Sequence, residues 1–315
     1  MNPRAVVTRC LVGAFALAGL VACGTPSPSD QARPARLYPF RNAAYYTAGQ
    51  QRTIDQKLDR ATATCMRTRG FSYRPQAPAA SGSLPTSPSS SSSPSPSPSP
   101  SPSEPDNPYY LLDAATARTD GYGILPVRQA PDRPQSGAPA QPAADARYDD
   151  ALVGSRKHQR TLDLPDRSEV TISVDGCVAK ARQTVFGGDW DRLSYTVQAL
   201  SNVVIGRTGK DAAVTVATRA WSSCMRRAGH PARKLADPRQ QIYLRFRDAR
   251  SSAAAQAATR AELTTAEADA ACQATVHLRP VTQKAQQRIE QQVLTERYRR
   301  DLDEFRRRLR AVVGP

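Results

Sequence analysis

The chain has 315 residues, 44 of them Lys or Arg and 28 Asp or Glu, for a formal charge of +16. With aromatic residues at 6% and long runs of Pro and Ser, it can bury one core of moderate size or two small ones, which excludes a pair of large domains. Six of the basic residues are Lys and the rest Arg, in the manner of high-GC codon usage, yet positions 201 to 260 carry 12 basic and 3 acidic residues, a surplus that favours polyanions as partners.

Arg4 and Arg9 precede an apolar run from Leu11 to Val21 that is too short to span a bilayer as a stable helix, the pattern of an export signal. Leu20-Val21-Ala22-Cys23 resembles the bacterial lipobox. That resemblance implies a lipoprotein signal peptide over 1–22, lipidation of Cys23, and anchoring at the extracytoplasmic face of the cell membrane. Residues 23–44 lack periodicity and read as a tether.

The first helical segment, 45–76, has a capping-box start at Thr47 and Gln50, and its apolar positions Ile54, Leu58, Ala61 and Cys65 fall at helical spacing. It ends on Cys65-Met66-Arg67-Thr68-Arg69-Gly70, where Gly70 suits a left-handed cap and Phe71 packs back on the last turn. Residues 77–108 are nearly pure Ser and Pro and read as a disordered linker inserted in the folded unit. Residues 109–144 combine an irregular segment containing Tyr109, Leu111 and Tyr122 with a second, Pro/Ala-rich linker.

The remainder, 145–315, reads as a hairpin plus a helical bundle packing with 45–76. Thr161 to Leu164 and Glu169 to Val174 flank Pro165-Asp166-Arg167-Ser168, which predicts a β-hairpin. Helices follow from Cys177 to Phe186, from Asp189 to Gly206, and from beyond Gly209 to Arg227, the last ending on a second Cys-Met-Arg, Cys224-Met225-Arg226-Arg227-Ala228-Gly229. Asp237-Pro238 starts a further helix with Ile242, Phe246, Ala249 and Ala253 on one stripe. Thr264 with Glu267 reads as a capping box opening a Cys272 helix that Pro280 stops, and Thr282 to Val313 reads as one long final helix. The fold class predicted is mainly α, with one small hairpin.

Discounting Cys10 in the signal and Cys23, four cysteines remain, Cys65, Cys177, Cys224 and Cys272, an even number in an exported chain. Three connectivities are open; the repeated Cys-Met-Arg helix, as if from two similarly built halves, favours Cys65 with Cys177 and Cys224 with Cys272. Cys224, His230, Cys272 and His277 are all zinc-ligand types, but Cys272 and His277, five apart on a helix, diverge by about 140° and His230 lies beyond the capping Gly229, so disulfides are preferred and no metal site or cofactor is assigned. Glu262, Glu267 and Asp269 form an acidic group that an acid/base pair could use, with helix-end stabilisation as the simpler reading. No Gly-rich phosphate loop, metalloprotease motif or nucleophile elbow occurs, and no catalytic residue is assigned.

The paired Cys-Met-x-x-x-Gly helix ends, with Gly176-Cys177, Trp221-x-x-Cys224 and Asp269-x-x-Cys272, resemble a group of lipoproteins and secreted proteins of unknown function from high-GC Gram-positive bacteria. The resemblance implies disulfide-bonded helical proteins and transfers no activity. The function expected is that of a non-enzymatic surface lipoprotein with a scaffold or accessory role at the envelope. The alternatives are a solute-binding component of a transporter or a cell-wall hydrolase. Its partners would be the membrane, through the lipid anchor, and anionic lipids, wall polymers or another envelope protein, not nucleic acid. Arg226, Arg227, Arg233 and Lys234 are the candidate anionic-surface contacts, on the condition that the basic residues share one face rather than scatter.

Overall fold

The computed structural model describes residues 37–73, 107–124 and 146–314, all within one unit. Cys23, the residues 1–22 read as a signal peptide, the Ser/Pro stretch up to residue 106 and the stretch 125–145 lie outside the described residues. The described part is mainly α, with a two-stranded antiparallel hairpin.

Helix α1 (Ala48–Thr68) opens on the capping box, Thr47 Oγ1 accepting the Gln50 N–H and the Gln50 side chain accepting that of Thr47. Two short helices follow, α2 (Ala114–Thr119), capped by Asp113, and α3 (Ala146–Leu152). In the hairpin, β1 (Gln159–Asp163) pairs with β2 (Glu169–Ser173) so that Leu162 lies opposite Val170. Leu162 and Ile172 bury against Tyr195.

Beyond the hairpin come α4 (Cys177–Phe186), α5 (Trp190–Gly209), α6 (Ala212–Arg227), α7 (Asp237–Asp248), α8 (Ser252–Thr275), α9 (Leu278–Val293) and α10 (Glu296–Val313). The axis is α5. Trp190, Leu193, Val197, Leu200 and Val204 recur every three or four residues and are buried, each such side chain contributing about 1.5 to 3 kcal/mol. Around its start Phe186, Trp190 and Phe305 stack, with ring centroids 3.9 and 4.9 Å apart. Helix α9 packs on both α5 and α6 and so joins this core to a second one, made by α7, α8 and residues 107–124.

The two Cys-Met-Arg helices end in the same way. Gly70 and Gly229 both have φ +83°, the Phe71 and His230 N–H groups donate to the Met66 and Met225 carbonyls, and those of Gly70 and Gly229 donate to Arg67 and Arg226. This is the Schellman arrangement, which satisfies carbonyls that the helix leaves over. Met66 and Met225 are fully buried. Disulfides join Cys65 to Cys177, tying α1 to α4, and Cys224 to Cys272, tying α6 to α8. They close loops of 112 and 48 residues, for which the chain-entropy model gives about 5 and about 4 kcal/mol as upper values.

The tether predicted over 23–44 is shorter than its sequence suggests. Tyr38, Phe40, Ala43 and Ala44 are buried. Pro39–Asn42 forms a left-handed turn, Phe40, Arg41 and Asn42 having φ of 55°, 54° and 62°. Such backbone costs about 1 to 2 kcal/mol per residue outside glycine. It is offset by the burial of Phe40 and by a set of hydrogen bonds: Phe40 N–H donates to Glu290 Oε1 (2.9 Å), the Arg306 guanidinium to the Phe40 carbonyl (2.8 Å), and Gln286 Nε2 to the Tyr38 carbonyl (3.2 Å). At the other linker boundary, Asn107 is buried and its amide binds the Tyr109 and Leu111 backbone.

Several helix boundaries also differ from expectation. The final segment is two helices, because Thr295 takes extended backbone and its hydroxyl caps α10 by accepting the Tyr298 N–H. The Asp237 helix stops at Asp248, and Ser251 caps a new one through Ala254 N–H. Thr264 is therefore mid-helix, its hydroxyl donating to the Arg260 carbonyl, and the capping box expected with Glu267 is absent. Helix α5 continues through Gly206 to Gly209. Helix α8 ends at Thr275, and Pro280 stands in the first turn of α9, where a missing N–H costs nothing.

Candidate functional site

Helix α6 is strongly two-faced. Asp211 caps its start by accepting the Ala213 N–H, and Val214, Ala217, Trp221 and Met225 form the buried stripe. The other face carries Thr215, Thr218, Arg219, Ser222, Ser223 and Arg226 at i, i+3, i+4, i+7, i+8 and i+11. After the Schellman turn the chain doubles back. The Ser222 hydroxyl donates to the Ala232 carbonyl (2.5 Å), and the Asp237 carboxylate accepts the Arg233 and Lys234 N–H groups at 2.9 and 2.8 Å. These bonds return Arg233 to the side of α6, and a groove of about 430 Å³ runs between Gly209 and Arg233, lined by Arg219, Arg226 and Arg233 with the four hydroxyl residues.

The hydroxyl protons of Thr218, Ser222 and Ser223 are committed to backbone carbonyls. The guanidiniums are not: Arg219, Arg226 and Arg233 form no ion pair among the described residues. The last helix is the opposite case. Along α10, Arg299 and Arg300 pair with Glu296, Arg306 with Asp303, and Arg307 and Arg308 with Glu304. Five of the seven arginines of α10 are thus paired within the helix, whereas those lining the α6 groove have no acidic partner among the described residues. Of the four candidate contacts read from the sequence, Arg226 and Arg233 share the groove; Arg227 and Lys234 are exposed outside it, and Arg219 takes the third position.

The acidic group splits. Glu267 is exposed, whereas Glu262 and Asp269, two turns apart on one face of α8, are 0% and 1% exposed. Glu262 Oε1 accepts the Tyr122 and Ile124 N–H groups at 3.0 and 2.9 Å. Asp269 accepts from Trp221 Nε1 (2.8 Å), Gln273 Nε2 (2.8 Å) and the Tyr122 hydroxyl (3.0 Å). Burial pushes the Asp269 carboxyl above the usual carboxylate range despite those three donors. Both carboxylates are spent on holding residues 107–124 and Trp221 to α8, and neither presents surface to a substrate. Gly121, at φ +60°, belongs to this arrangement, since a Cβ there would lie 2.7 Å from Glu262 Cγ.

One exposed cluster has the residue types of a triad. His158 Nδ1 lies 3.1 Å from both Ser155 Oγ and Asp175 Oδ2, and Ser155 Oγ donates to Asp175 Oδ2 at 2.8 Å. Serine and aspartate face the same ring nitrogen, whereas proton relay needs one at each. The zinc-type residues are dispersed: Cys224 and Cys272 are bonded to each other, His230 Nδ1 meets Thr265 Oγ1 at 3.2 Å, and His277 is exposed. Among the described residues no three His, Cys, Asp or Glu side chains are grouped to hold a metal ion, and no helix is long and apolar enough to cross a membrane.

Compared with protein-family models, with curated proteins and with solved structures, the chain has no match.

Proposed function

We propose that this chain is a non-enzymatic surface lipoprotein, anchored through Cys23 at the extracytoplasmic face of the membrane, whose folded part makes electrostatic contact with anionic polymers or lipids of the envelope. The observation that carries the reading is the row of three uncompensated guanidiniums along the α6 groove, Arg219 and Arg226 on the helix and Arg233 beside it, set against the paired arginines of α10. Arg219 and Arg226 are seven residues apart, about 10 Å along the helix, a spacing that suits a surface or chain of repeated negative charge better than a single small anion. The lipobox-like sequence supports the anchor, and the two disulfides accord with an oxidising compartment.

The test has two parts. Cys23→Ala should release the chain from membranes or block its processing, with loss of acyl mass on the N-terminal peptide. The non-acylated chain should co-sediment with anionic vesicles or wall fragments at low salt and lose that binding as the Debye length falls from about 10 to about 3 Å. Charge reversal at Arg219, Arg226 and Arg233 should weaken binding more than reversal at the paired Arg299, Arg300 and Arg307. Equal effects from the two sets, or no binding at low salt, would overturn the proposal.

A further inference from the structure

A larger groove lies elsewhere, between α1, α4 and the end of α10, with a volume of about 630 Å³. That is within the range of small-molecule sites. Its floor is apolar and built from small side chains, Ala61, Ala181, Val185 and Val312. Ala61 and Ala181 leave space where larger residues would close the seam between α1 and α4, which the Cys65–Cys177 disulfide pins at one end. Along the rim stand Lys57, Arg60 and Lys180, all exposed.

The polar character of this groove is one-sided. No Asp or Glu lines it. The hydroxyl protons of Thr64 and Thr184 go to the Arg60 and Lys180 carbonyls, so the remaining donors are the three cations. Lys57 Nζ also donates to the Val312 carbonyl (2.5 Å), neutralising the negative end of α10 where it borders the groove. A sugar or other polyol needs acceptors as well as donors and gains little from an aliphatic floor. A cationic ligand is repelled by the rim. The ligand that satisfies both parts carries an anionic head and an unbranched apolar body.

We propose that the α1/α4 groove binds a single-chain anionic amphiphile of the fatty-acid class, its head at Lys57, Arg60 and Lys180 and its chain along Ala61, Ala181, Val185 and Val312. This assignment rests on the groove alone and is independent of the reading of α6.

The experiment uses the non-acylated chain (Cys23→Ser) with palmitate below its critical micelle concentration, followed by displacement of a fluorescent fatty acid. Saturable binding at a single site is expected. Arg60→Glu with Lys180→Glu should weaken it by about tenfold or more, since two attractive contacts become repulsive in a partly desolvated groove. Ala61→Leu, which fills the floor without altering charge, should weaken it comparably. Circular dichroism melting identifies any variant that fails to fold, and Thr64→Leu, on the same exposed face of α1, is the second filling variant should Ala61→Leu do so. Reversal of Arg219, Arg226 and Arg233 should leave palmitate binding within about twofold, which separates this site from the α6 groove. Hexadecanol, with the chain but no charge, should displace the probe poorly. Lysophosphatidate displacing as well as palmitate would support the site as one for anionic heads generally, and palmitate alone would assign it to carboxylates. The proposal is overturned if palmitate does not bind, if inorganic phosphate displaces the probe as well as palmitate does, or if neither set of groove variants changes affinity.

Discussion

Asp269 offers a sharp test of the polar arrangement inside the second core. Its carboxylate is the acceptor for Trp221, Gln273 and Tyr122 and is 1% exposed. In Asp269→Ala two of those donors keep a second acceptor: Gln273 Nε2 has the Tyr110 carbonyl at 3.2 Å and the Tyr122 hydroxyl the Thr265 carbonyl at 3.5 Å. Trp221 Nε1 has no other hydrogen bond among the described residues. An orphaned buried donor costs about 1 to 3 kcal/mol, and the weakened bonds of the other two bring the expected loss to roughly 2 to 4 kcal/mol. Asp269→Asn keeps an oxygen for Trp221 and Gln273 while its amide donates to the Tyr122 hydroxyl, so its loss at neutral pH should stay under about 1 kcal/mol. The two variants should also differ in pH dependence. Burial raises the folded-state pKa of Asp269, so the folded chain holds that proton more tightly than the unfolded one. Its contribution to stability is therefore fully present below the unfolded carboxyl value of about 3.9 and is lost as pH rises through the folded value. Wild type minus Asp269→Asn should show this loss, at up to about 1.4 kcal/mol per pH unit inside the window. Urea unfolding with intact disulfides, read by the fluorescence of buried Trp190 and Trp221, measures all of it. An Ala variant within about 0.5 kcal/mol of wild type, or an Asn variant as damaged as the Ala one, would refute the assignment.

The left-handed turn makes Arg41→Gly stabilising, by roughly 0.5 to 1 kcal/mol, because Arg41 is exposed at φ 54° and glycine adopts that backbone without strain; a lowered melting temperature would contradict this. Gly206 and Gly121 should respond oppositely to alanine. Gly206 lies in the last turn of α5 in open space, so Gly206→Ala should gain about 0.5 to 1 kcal/mol, whereas Gly121→Ala combines φ +60° with a clash on Glu262 and should lose more than about 1 kcal/mol. Thermal melts of both variants, side by side, check the pair, and changes of the same sign would count against the packing described at Gly121.

Local signals carried the fold well. Thr47 with Gln50, the glycines after each Cys-Met-Arg, and the Val170, Ile172, Val174 alternation all depend on neighbours within a few residues, and each is found where the sequence puts it. The errors came where a local signal competes with a tertiary one. Leu294, Tyr298 and Leu302 continue one stripe across the break at Thr295, so periodicity cannot see the break, although Thr295 before Glu296 is itself a capping pattern. Thr264 and Glu267 imitate a capping box, but Thr265, Ala266 and Asp269 on the same turns are buried by residues 107–124, and that packing carries the helix through. The acidic group illustrates the same limit: nothing local distinguishes buried Asp269 from exposed Glu267, because the partner Tyr122 is 147 positions away. On α6 the Thr and Arg stripe opposite Val214, Ala217 and Trp221 was readable as a face. Arg219 on that stripe was nevertheless passed over, and although Arg233 was named with Arg226, what brings it to the groove is the Asp237 carboxylate folding the chain back, which no local pattern shows.

The contacts of the left-handed turn also bear on the order in which the protein can assemble. Phe40 is held by Glu290 and Arg306, 250 and 266 positions later, and Lys57 by the Val312 carbonyl, 255 later. A chain made from its N-terminus has finished α1 long before any of these partners exists. Until α9 and α10 arrive, Phe40, Ile54 and the start of α5 lack the surfaces that bury them, while both cysteines of the 48-residue disulfide loop that joins α6 to α8 precede α9. The α6–α8 end can thus be stapled first, and the end that holds the left-handed turn closes last, when the final helix packs over it.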